Sequence, residues 1–445
     1  MSTFLITLFS GLFSWRFIYP PLALFLFIFL DPMSTLGTAA VMPLSIYTSR
    51  MVWGALVGVA IKSLMIIYRT RNSGSGGRYS WRVGVICLLM VIMIRISVII
   101  GTGEFGLGID YASSGPLTLI IVVAYLRDRR AWLYFGLMLI LQLGLGLYII
   151  LNPESLLNGY SARIGDLAID AVNFDKSEII GSRVQGQFGN TVALAMHAAV
   201  GVALGIALLV ASYRSRTKRY IFMSLGIVIV IVGLFLLGIS MTRGIIIGVI
   251  IGILGYFIGI HGTVRTSLFL FTLLSLLYIM PSFLELIPAD DPVFGRFVLF
   301  AKLGENEGYR LQAIPNSINA VMQQSVFGWG DYESGLNACN GYLAHQGPLA
   351  IAVLYGIPVG LLACVILVWA IKSDFSSKKL KVNNFDSEFA ALRAFRSISL
   401  WAAIACIMTN GYAASALLYI ILGVVMWPKI FQATVPKAIS GRYSC

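Results

Sequence analysis

The sequence predicts an all-α, polytopic integral membrane protein with about twelve transmembrane helices. Of its 445 residues, 58% are hydrophobic and only 11% are charged, and the mean hydropathy is +0.87. Water-soluble proteins contain about 25% charged residues, so this composition excludes that class. About 20 consecutive apolar residues cross a bilayer once, and the chain has many apolar segments. We therefore expect a single transmembrane domain over residues 1–445.

The first apolar segment, residues 1–31, is interrupted by Arg16 and by Pro20-Pro21. Proline breaks or kinks a helix, so we expect one broken span here, with two short spans within residues 1–50 as the alternative. No basic region followed by a small-residue cleavage site precedes it, which indicates that this span stays attached. Further spans in the first half are expected at about 51–68, 83–101, 115–126, 132–151 and 189–212.

The second half contains a polar stretch that is too long for a simple connector. Spans are expected there at about 221–240, 244–260, 267–283, 348–371, 398–413 and 415–429. Residues 284–347 separate two of these spans, whereas most connections have about 4–6 residues. The apolar positions that follow Arg310 suit an amphipathic helix at the membrane surface. We therefore expect a large loop that contains short helices.

Basic residues are concentrated in short loops, and their positions determine the predicted orientation. The clusters lie at 69–82, 127–130, 214–219 and 372–397. Lys and Arg are retained on the cytoplasmic side, so we expect both termini there and the loop 284–347 on the outside. The net charge of +13 then reflects membrane topology and attraction to anionic headgroups, and no nucleic-acid partner is expected.

The sequence contains no pattern that indicates a metal or a cofactor. Three of the five cysteines lie inside apparent spans, a distribution that gives neither a disulfide framework nor a metal site. The only adjacent acidic pair, Asp290-Asp291, lies between prolines and is typical of a turn. A phosphate-binding glycine loop of the P-loop type is also missing. We therefore expect a metal-independent site without a cofactor.

Three arginines lie next to span ends on the predicted outer side: Arg183, Arg243 and Arg310. Guanidinium groups bind phosphate oxygens in a bidentate manner, so together they indicate a site for a lipid diphosphate. Arg296 lies in the same long loop as Arg310. Two alternatives remain open. Arg243 is equally well explained as an interfacial arginine that reaches the headgroups, and Arg310 as a partner of a nearby glutamate.

His345 is the candidate general base, because it is the only histidine on the predicted outer side and histidine titrates near neutral pH. A purely structural histidine is the alternative. Of the other two, His261 falls in a predicted cytoplasmic loop, and His197 falls within a span, where it could bond a neighbouring helix.

Four short motifs occur in order along residues 183–360. They are Arg183 through Asn190, Thr242-Arg243-Gly244, Arg310 followed by Phe327-Gly328-Trp329-Gly330, and His345-Gln346 followed, after nine intervening residues, by Gly356. Together with the predicted topology, they resemble the O-antigen ligase and polymerase superfamily of bacterial envelope glycosyltransferases. The ending Gly356-Ile-Pro-Val359 differs from the family's pattern, since Gly360 comes one position late.

The resemblance implies that an undecaprenyl-diphosphate-linked glycan is transferred at the periplasmic face of a bacterial inner membrane. In a ligase the acceptor is the lipid A core, which is our first expectation; in a polymerase it is another lipid-linked repeat. Arg243, Arg310 and His345 would be catalytic, with the arginines on the diphosphate and the histidine activating the acceptor. Arg183, Asn190, Arg296 and Gln346 would bind substrate.

A transporter of lipid or glycan is the hypothesis from a different class. Arg95 lies inside the third predicted span, and charged residues within membranes are often functional. The alternative is an interfacial arginine that pairs with Glu104. The absence of repeated halves and the concentration of polar residues outside the spans argue against transport.

Overall fold

A computed structural model of the chain describes residues 2–30, 45–72, 75–103, 111–126, 128–151, 191–214, 219–240, 242, 244–257, 308–341, 343, 347–377, 387–410 and 416–431. Regular secondary structure in these residues is helical throughout, which confirms the all-α class. The first eight helices are α1 (Ser2–Phe17), α2 (Pro20–Leu30), α3 (Ser45–Thr70), α4 (Ser75–Thr102), α5 (Tyr111–Tyr125), α6 (Arg129–Leu151), α7 (Thr191–Arg214) and α8 (Arg219–Ile239).

The remaining helices include the short ones expected in the long loop. They are α9 (Gly244–Phe257), α10 (Gly308–Gln323), α11 (Tyr332–Ala338), α12 (Gly347–Tyr355), α13 (Ile357–Ser377), α14 (Ser387–Asn410) and α15 (Ala416–Phe431). Helices α10 and α11 lie within the predicted loop 284–347, and α12 begins at its last residue.

Seven of the described helices are long and apolar enough to cross a membrane: α3, α4, α6, α7, α8, α13 and α14. Shorter apolar helices are α5, α9 and α15. Large apolar side chains such as Leu133, Ile231 and Leu361 are exposed on the helix surfaces. Such side chains are stable facing lipid and not water. A membrane protein with several spans is therefore supported, whereas the count of twelve stays a prediction, since the span at 267–283 lies outside the described residues.

The helices pack closely at glycines. A Cβ atom on Gly58 of α3 would clash with the backbone of Gly11 on α1. Gly205 of α7 lies against Gly226 of α8 in the same way. Small residues let helix backbones approach, and this compensates for the missing hydrophobic driving force between helices in lipid.

Three of the predicted helix boundaries are wrong. The basic loop expected at 69–82 is largely helical, because α3 extends to Thr70 and α4 begins at Ser75. The segment 348–371, expected as one continuous span, is divided at Gly356 into α12 and α13. Gly356 has a φ of +88°, which a helix cannot accommodate. The basic loop expected at 372–397 is also shorter, because α13 extends to Ser377 and α14 begins at Ser387. By contrast, the predicted break near Pro20 is confirmed by the separation of α1 from α2.

The two ends of the helix bundle differ in charge. At one end, here called the turn end, the last turns of α4 contact the turn 324–331. The opposite end, here called the basic end, carries exposed cationic side chains: Arg69, Arg78, Arg82, Arg130, Arg219 and Lys372. This asymmetry is the pattern that retention of basic residues on one side of a membrane produces.

Candidate functional site

The structure describes part of the surroundings of the predicted site. The backbone of Arg310 lies in the first turn of α10. The other six candidates lie outside the described residues: Arg183, Asn190, Arg243, Arg296, His345 and Gln346. Their roles therefore stay predictions, and the described helices around them supply the geometry.

Several candidates directly precede the start of a described helix. Asn190 precedes Thr191 of α7, Arg243 precedes Gly244 of α9, and Gln346 precedes Gly347 of α12.

The last turns of α14 bring two of these helix starts to the same end of the molecule. Helix α9 runs antiparallel to α14, with Gly248 packed against Trp401 and Ala405. Helix α12 begins beside the same part of α14, since Pro348 and Ile407 line one small apolar cavity. The starts of α9 and α12 thus both lie beside the last turns of α14.

Helix α12 folds back on α13 to form a helical hairpin at the turn end. Gly360, one turn into α13, lies against the carbonyl oxygen of Pro348 and the side chain of Ala352. Gly347, the first residue of α12, is buried. Glycine and alanine at this crossing allow the two helices to approach closely. The segment that follows His345 is therefore held inside the bundle.

The turn Phe327-Gly328-Trp329-Gly330 caps the end of α12. The backbone N–H groups of Trp329 and Gly330 donate to the carbonyl oxygens of Val353 and Leu354, at 3.0 Å and 2.8 Å. The last carbonyl groups of a helix have no partner within it, so the turn satisfies them. Gly328 and Gly330 both have positive φ, 64° and 83°. The glycines of this motif are thus required by the backbone conformation.

Helix α4 holds the turn against the membrane-spanning bundle. The hydroxyl of Ser97 lies between the carbonyl oxygens of Phe327 and Leu354 and donates to them. A Cβ atom on Gly101 would lie 2.4 Å from the carbonyl oxygen of Trp329, so only glycine fits there. Both residues come from the third predicted span, more than two hundred residues away in sequence. This contact fixes the loop helices relative to the spans.

Helix α10 packs on the same turn from the other side. The indole N–H of Trp329 donates to the carbonyl oxygen of Ala320 at 3.1 Å. The side chain of Asn316 donates to the carbonyl oxygen of Cys339 at 3.3 Å. Helix α11 is anchored by Asp331, whose carboxylate accepts from the backbone N–H of Ser334 at 2.8 Å. The helix that carries Arg310 is therefore part of one packed unit with α12.

Cys339 lies at the centre of this unit and is fully buried. Its Sγ is 3.6 Å from the hydroxyl oxygen of Ser317. Burial raises the pKa of the thiol above its ordinary value, and the Ser317 contact opposes this only in part. A buried thiol with a raised pKa is a poor nucleophile, so Cys339 has a structural role.

The sequence did not indicate several of the residues that shape the site. Ser97 and Gly101 lie in an apolar span and showed no pattern that distinguished them from other small residues. Gly356 was included in a motif, but its role as the break between two helices was not anticipated. A glycine next to Ile-Pro within an apolar run was the only available signal.

The two other intramembrane candidates differ in their surroundings. His197 is buried in α7, and its Nδ1 lies 2.8 Å from the carbonyl oxygen of Ala193, one turn earlier in the same helix. Arg95 is half-buried on α4 and has an interaction partner.

The position of Arg396 differs from the expectation, which placed this residue in the basic loop 372–397. Its side chain is 1% exposed in α14, and its Nε donates to the carbonyl oxygen of Val425 in α15 at 3.1 Å. The hydroxyl of Ser373 in α13 donates to the same oxygen at 3.1 Å. The buried carboxylate of Asp374 interacts electrostatically with the guanidinium. This cluster lies at the basic end, away from the candidate site.

The described part of the site therefore consists of a capped helical hairpin that is docked on α4, with the starts of α9 and α12 beside α14. Comparison with known proteins adds no assignment: no protein-family model and no curated protein matches the chain.

Proposed function

We propose that the protein is a membrane glycosyltransferase that moves a glycan from a polyprenyl diphosphate to an acceptor hydroxyl. O-antigen ligation to a lipid A core is the first assignment, and polymerisation onto another lipid-linked repeat is the second. The proposal rests on the order of the four motifs and on their resemblance to the ligase and polymerase superfamily. The single structural observation that carries it is the packing of α9 and α12 on the last turns of α14.

That packing favours a shared site for the two motifs that begin these helices. Arg243 directly precedes α9, and His345 lies two residues before α12. Arg310 belongs to α10, which contacts α12 through the turn and the residues around Cys339. The departure of a diphosphate requires cations beside it, which two arginines would supply. The activation of a hydroxyl requires a base, which an imidazole would supply.

In the proposed reaction, the bond between the anomeric carbon and the diphosphate oxygen breaks, and the acceptor oxygen forms a new bond to that carbon. His345 accepts the proton of the acceptor hydroxyl. Arg243 and Arg310 stabilise the charge that develops on the departing diphosphate, and Arg183 and Arg296 contribute to its binding. Asn190 and Gln346 contribute hydrogen bonds to the substrate. General-base catalysis contributes about 10²–10⁴-fold in rate.

Transfer activity of purified variants tests these roles. We expect His345→Ala and Arg310→Ala each to lower kcat at least about 100-fold with the protein still inserted and folded. His261→Ala and Arg82→Ala are the matched controls, because each removes the same type of side chain from the predicted cytoplasmic side or the basic end. Full transfer by His345→Ala or Arg310→Ala would contradict the assigned roles.

The choice of acceptor separates the two assignments. The protein is incubated with a lipid-linked repeat, with and without lipid A core. Product that appears only with the core supports a ligase, whereas elongation of the repeat alone supports a polymerase. If neither mixture gives a glycosylated product, the proposed function is wrong.

A further inference from the structure

Helix α10 exposes a row of apolar side chains on the side that faces away from the turn. The side that packs on the turn and on Cys339 consists of buried residues: Ala313, Ser317, Ala320 and Val321. Ile318, Met322 and Val326 are exposed, Met322 to 73%. Backbone bonds beyond Gln323 continue the helical path to the last of them. Residues four positions apart lie on one side of a helix, so these three form the apolar row.

Polar side chains adjoin the apolar row. Asn319 and Gln323 each follow a residue of the row by one position, which places them about 100° further around the helix, and both are exposed. Helix α10 therefore has a side packed on protein, an exposed apolar side and an exposed polar side. Because the two exposed sides run along the helix together, α10 fits a position along the boundary between hydrocarbon and water.

The sequence of this region contains no charge. Residues 311–330 include no Asp, Glu, Lys or Arg, whereas Arg310 and Asp331 flank them directly. Water-soluble proteins contain about 25% charged residues, so a stretch of this length would ordinarily include several. Charged side chains are costly in hydrocarbon. Their absence from α10 and its turn is therefore typical of a segment in contact with lipid.

The turn that follows α10 lies where two candidate spans end. Gly101, in the last turn of α4, packs against the carbonyl oxygen of Trp329. The backbone N–H of Ile357, the first residue of α13, donates to the carbonyl oxygen of Ser325 at 2.8 Å. Both α4 and α13 are long and apolar enough to cross a membrane. The turn and the end of α10 are thus at the depth where these spans leave the hydrocarbon.

The apolar row continues on the surface of α13. This helix exposes apolar side chains at helical spacing along one side: Ile357, Leu361, Val365 and Val368. In a helix that crosses a membrane, such a side faces lipid. Val326, at the end of the apolar row, directly follows Ser325, whose carbonyl oxygen accepts from Ile357. The two rows therefore adjoin, and the lipid that covers α13 also reaches α10.

We propose that α10 is immersed in the leaflet at the turn end, with the apolar row in the hydrocarbon and with Asn319 and Gln323 among the headgroups. The partner of this surface is the lipid bilayer itself. A protein segment over the row would also cover the adjoining amides and would have to satisfy them, whereas a lipid surface leaves them to headgroups and water. The lipid contact does not depend on the proposed glycosyl transfer.

The immersion has a consequence for Arg310, and this step alone rests on the proposed function. The backbone of Arg310 lies in the first turn of α10. A helix that lies along the boundary holds that backbone at the membrane surface, where the diphosphate of a polyprenyl lipid is located. The lipid contact would thus keep a substrate-binding arginine at the height of its ligand.

Nitroxide labels on introduced cysteines test the immersion. The full-length protein is studied in phosphatidylcholine vesicles, with Cys364 and Cys445 replaced by alanine, and this background reports any reaction of the buried thiols. Single labels are introduced by Ile318→Cys, Asn319→Cys, Met322→Cys, Gln323→Cys and Val326→Cys. At each label, the collision rate with oxygen, which concentrates in hydrocarbon, is divided by the collision rate with a water-soluble nickel chelate.

Met322→Cys and Gln323→Cys form the matched pair, since both positions are exposed and adjacent. We expect the oxygen-to-nickel ratio to be at least about fivefold higher at Met322→Cys. It should be close to that of Leu361→Cys on α13, a position 60% exposed on a candidate span. Equal ratios at the two neighbouring positions would overturn the proposal.

Low collision rates with both reagents throughout the apolar row would also overturn it, because the row would then be covered by protein. Mixing labelled with unlabelled protein identifies that cover. Spectra that narrow on mixing would assign the row to a second copy of the chain. Spectra that do not change would assign it to another segment of the same chain.

A charge in the row separates the lipid contact from the proposed function. Met322→Glu should lower transfer at least about tenfold, and Gln323→Glu is the control, because it adds the same charge on the polar side. Full transfer by Met322→Glu, with the labels showing immersion, would refute the role of the lipid contact in placing Arg310. Immersion without any transfer by the wild-type protein would refute the glycosyl transfer and support the lipid contact.

Discussion

At the scale of single residues, Gly356 has the most specific structural role in the described part of the chain. It ends α12, begins the reversal into α13, and has a φ of +88°. A Cβ atom there would lie 2.0 Å from the carbonyl oxygen of Val326, a backbone atom that cannot simply rotate away. Conformation and space both require glycine at this position.

We expect Gly356→Ala to lower the free energy of unfolding by at least about 3 kcal/mol, since the left-handed conformation alone costs roughly 1–2 kcal/mol and the clash adds to it. Thermal unfolding in detergent micelles measures the effect. Gly103→Ala is the control, because Gly103 also has positive φ but a Cβ atom there meets nothing within 4 Å. Equal losses for both variants would show that the close contact with Val326 is unimportant.

At the scale of helices, the contact of α4 with the turn 324–331 joins the loop helices to the membrane-spanning bundle. Ser97 and Gly101 lie one turn apart on α4 and face the same backbone segment. Helices α10, α11 and α12 pack around Trp329 and Cys339 on the other side of that segment. The position of α10, and with it the backbone of Arg310, therefore depends on a contact with a distant span.

We expect Ser97→Ala to weaken this docking by about 1–2 kcal/mol, because the carbonyl oxygen of Phe327 loses its hydroxyl donor, whereas that of Leu354 keeps the N–H of Gly330. Alkylation of Cys339 reports the opening of the unit, in a background in which the other four cysteines are alanine. The rate of labelling should rise about fivefold to thirtyfold. Ser63→Ala should leave it unchanged, since the Ser63 hydroxyl donates to the carbonyl oxygen of Val59 within its own helix. A rate in Ser97→Ala equal to that of the parent would exclude the docking role.

At the scale of the whole molecule, the helix bundle is closed at the basic end by a buried polar cluster. Arg396 of α14 and Ser373 of α13 both donate to the carbonyl oxygen of Val425 in α15. Asp374 supplies a buried negative charge beside the guanidinium. Three helices are thus held together by hydrogen bonds within an otherwise apolar region, where such groups must be satisfied by protein.

Removal of the Arg396 side chain should strongly destabilise this end of the bundle. We expect Arg396→Met to cost about 3–5 kcal/mol, because the buried carboxylate of Asp374 loses the guanidinium and the carbonyl oxygen of Val425 loses a charged donor. The double variant Arg396→Met, Asp374→Leu should recover a large part of that loss. Unfolding midpoints in micelles measure both, with Arg82→Met as the exposed control. A midpoint of Arg396→Met equal to that of Arg82→Met would contradict the role of the cluster.

Much of the fold could be predicted from local patterns. The break before Pro20, the helices on either side of the short loops and the helix that carries Arg310 all follow from runs of apolar residues and from proline. The division at Gly356 could not be predicted, because an apolar run such as 348–371 gives the same signal whether the helix continues or reverses. The surroundings of the candidate site depend on the same reversal.

The sequence by itself determined the class of the protein, most of its helical segments and the concentration of basic residues at one end of the bundle. These properties depend on hydrophobicity, bilayer thickness and the retention of positive charge, which are set by each segment alone. Only the tertiary structure decided that Ser97 and Gly101 hold the turn and that Arg396 is buried. The reason is physical: each of these features is a contact between segments far apart in the chain, and the two sides of such a contact carry no mark of their partner.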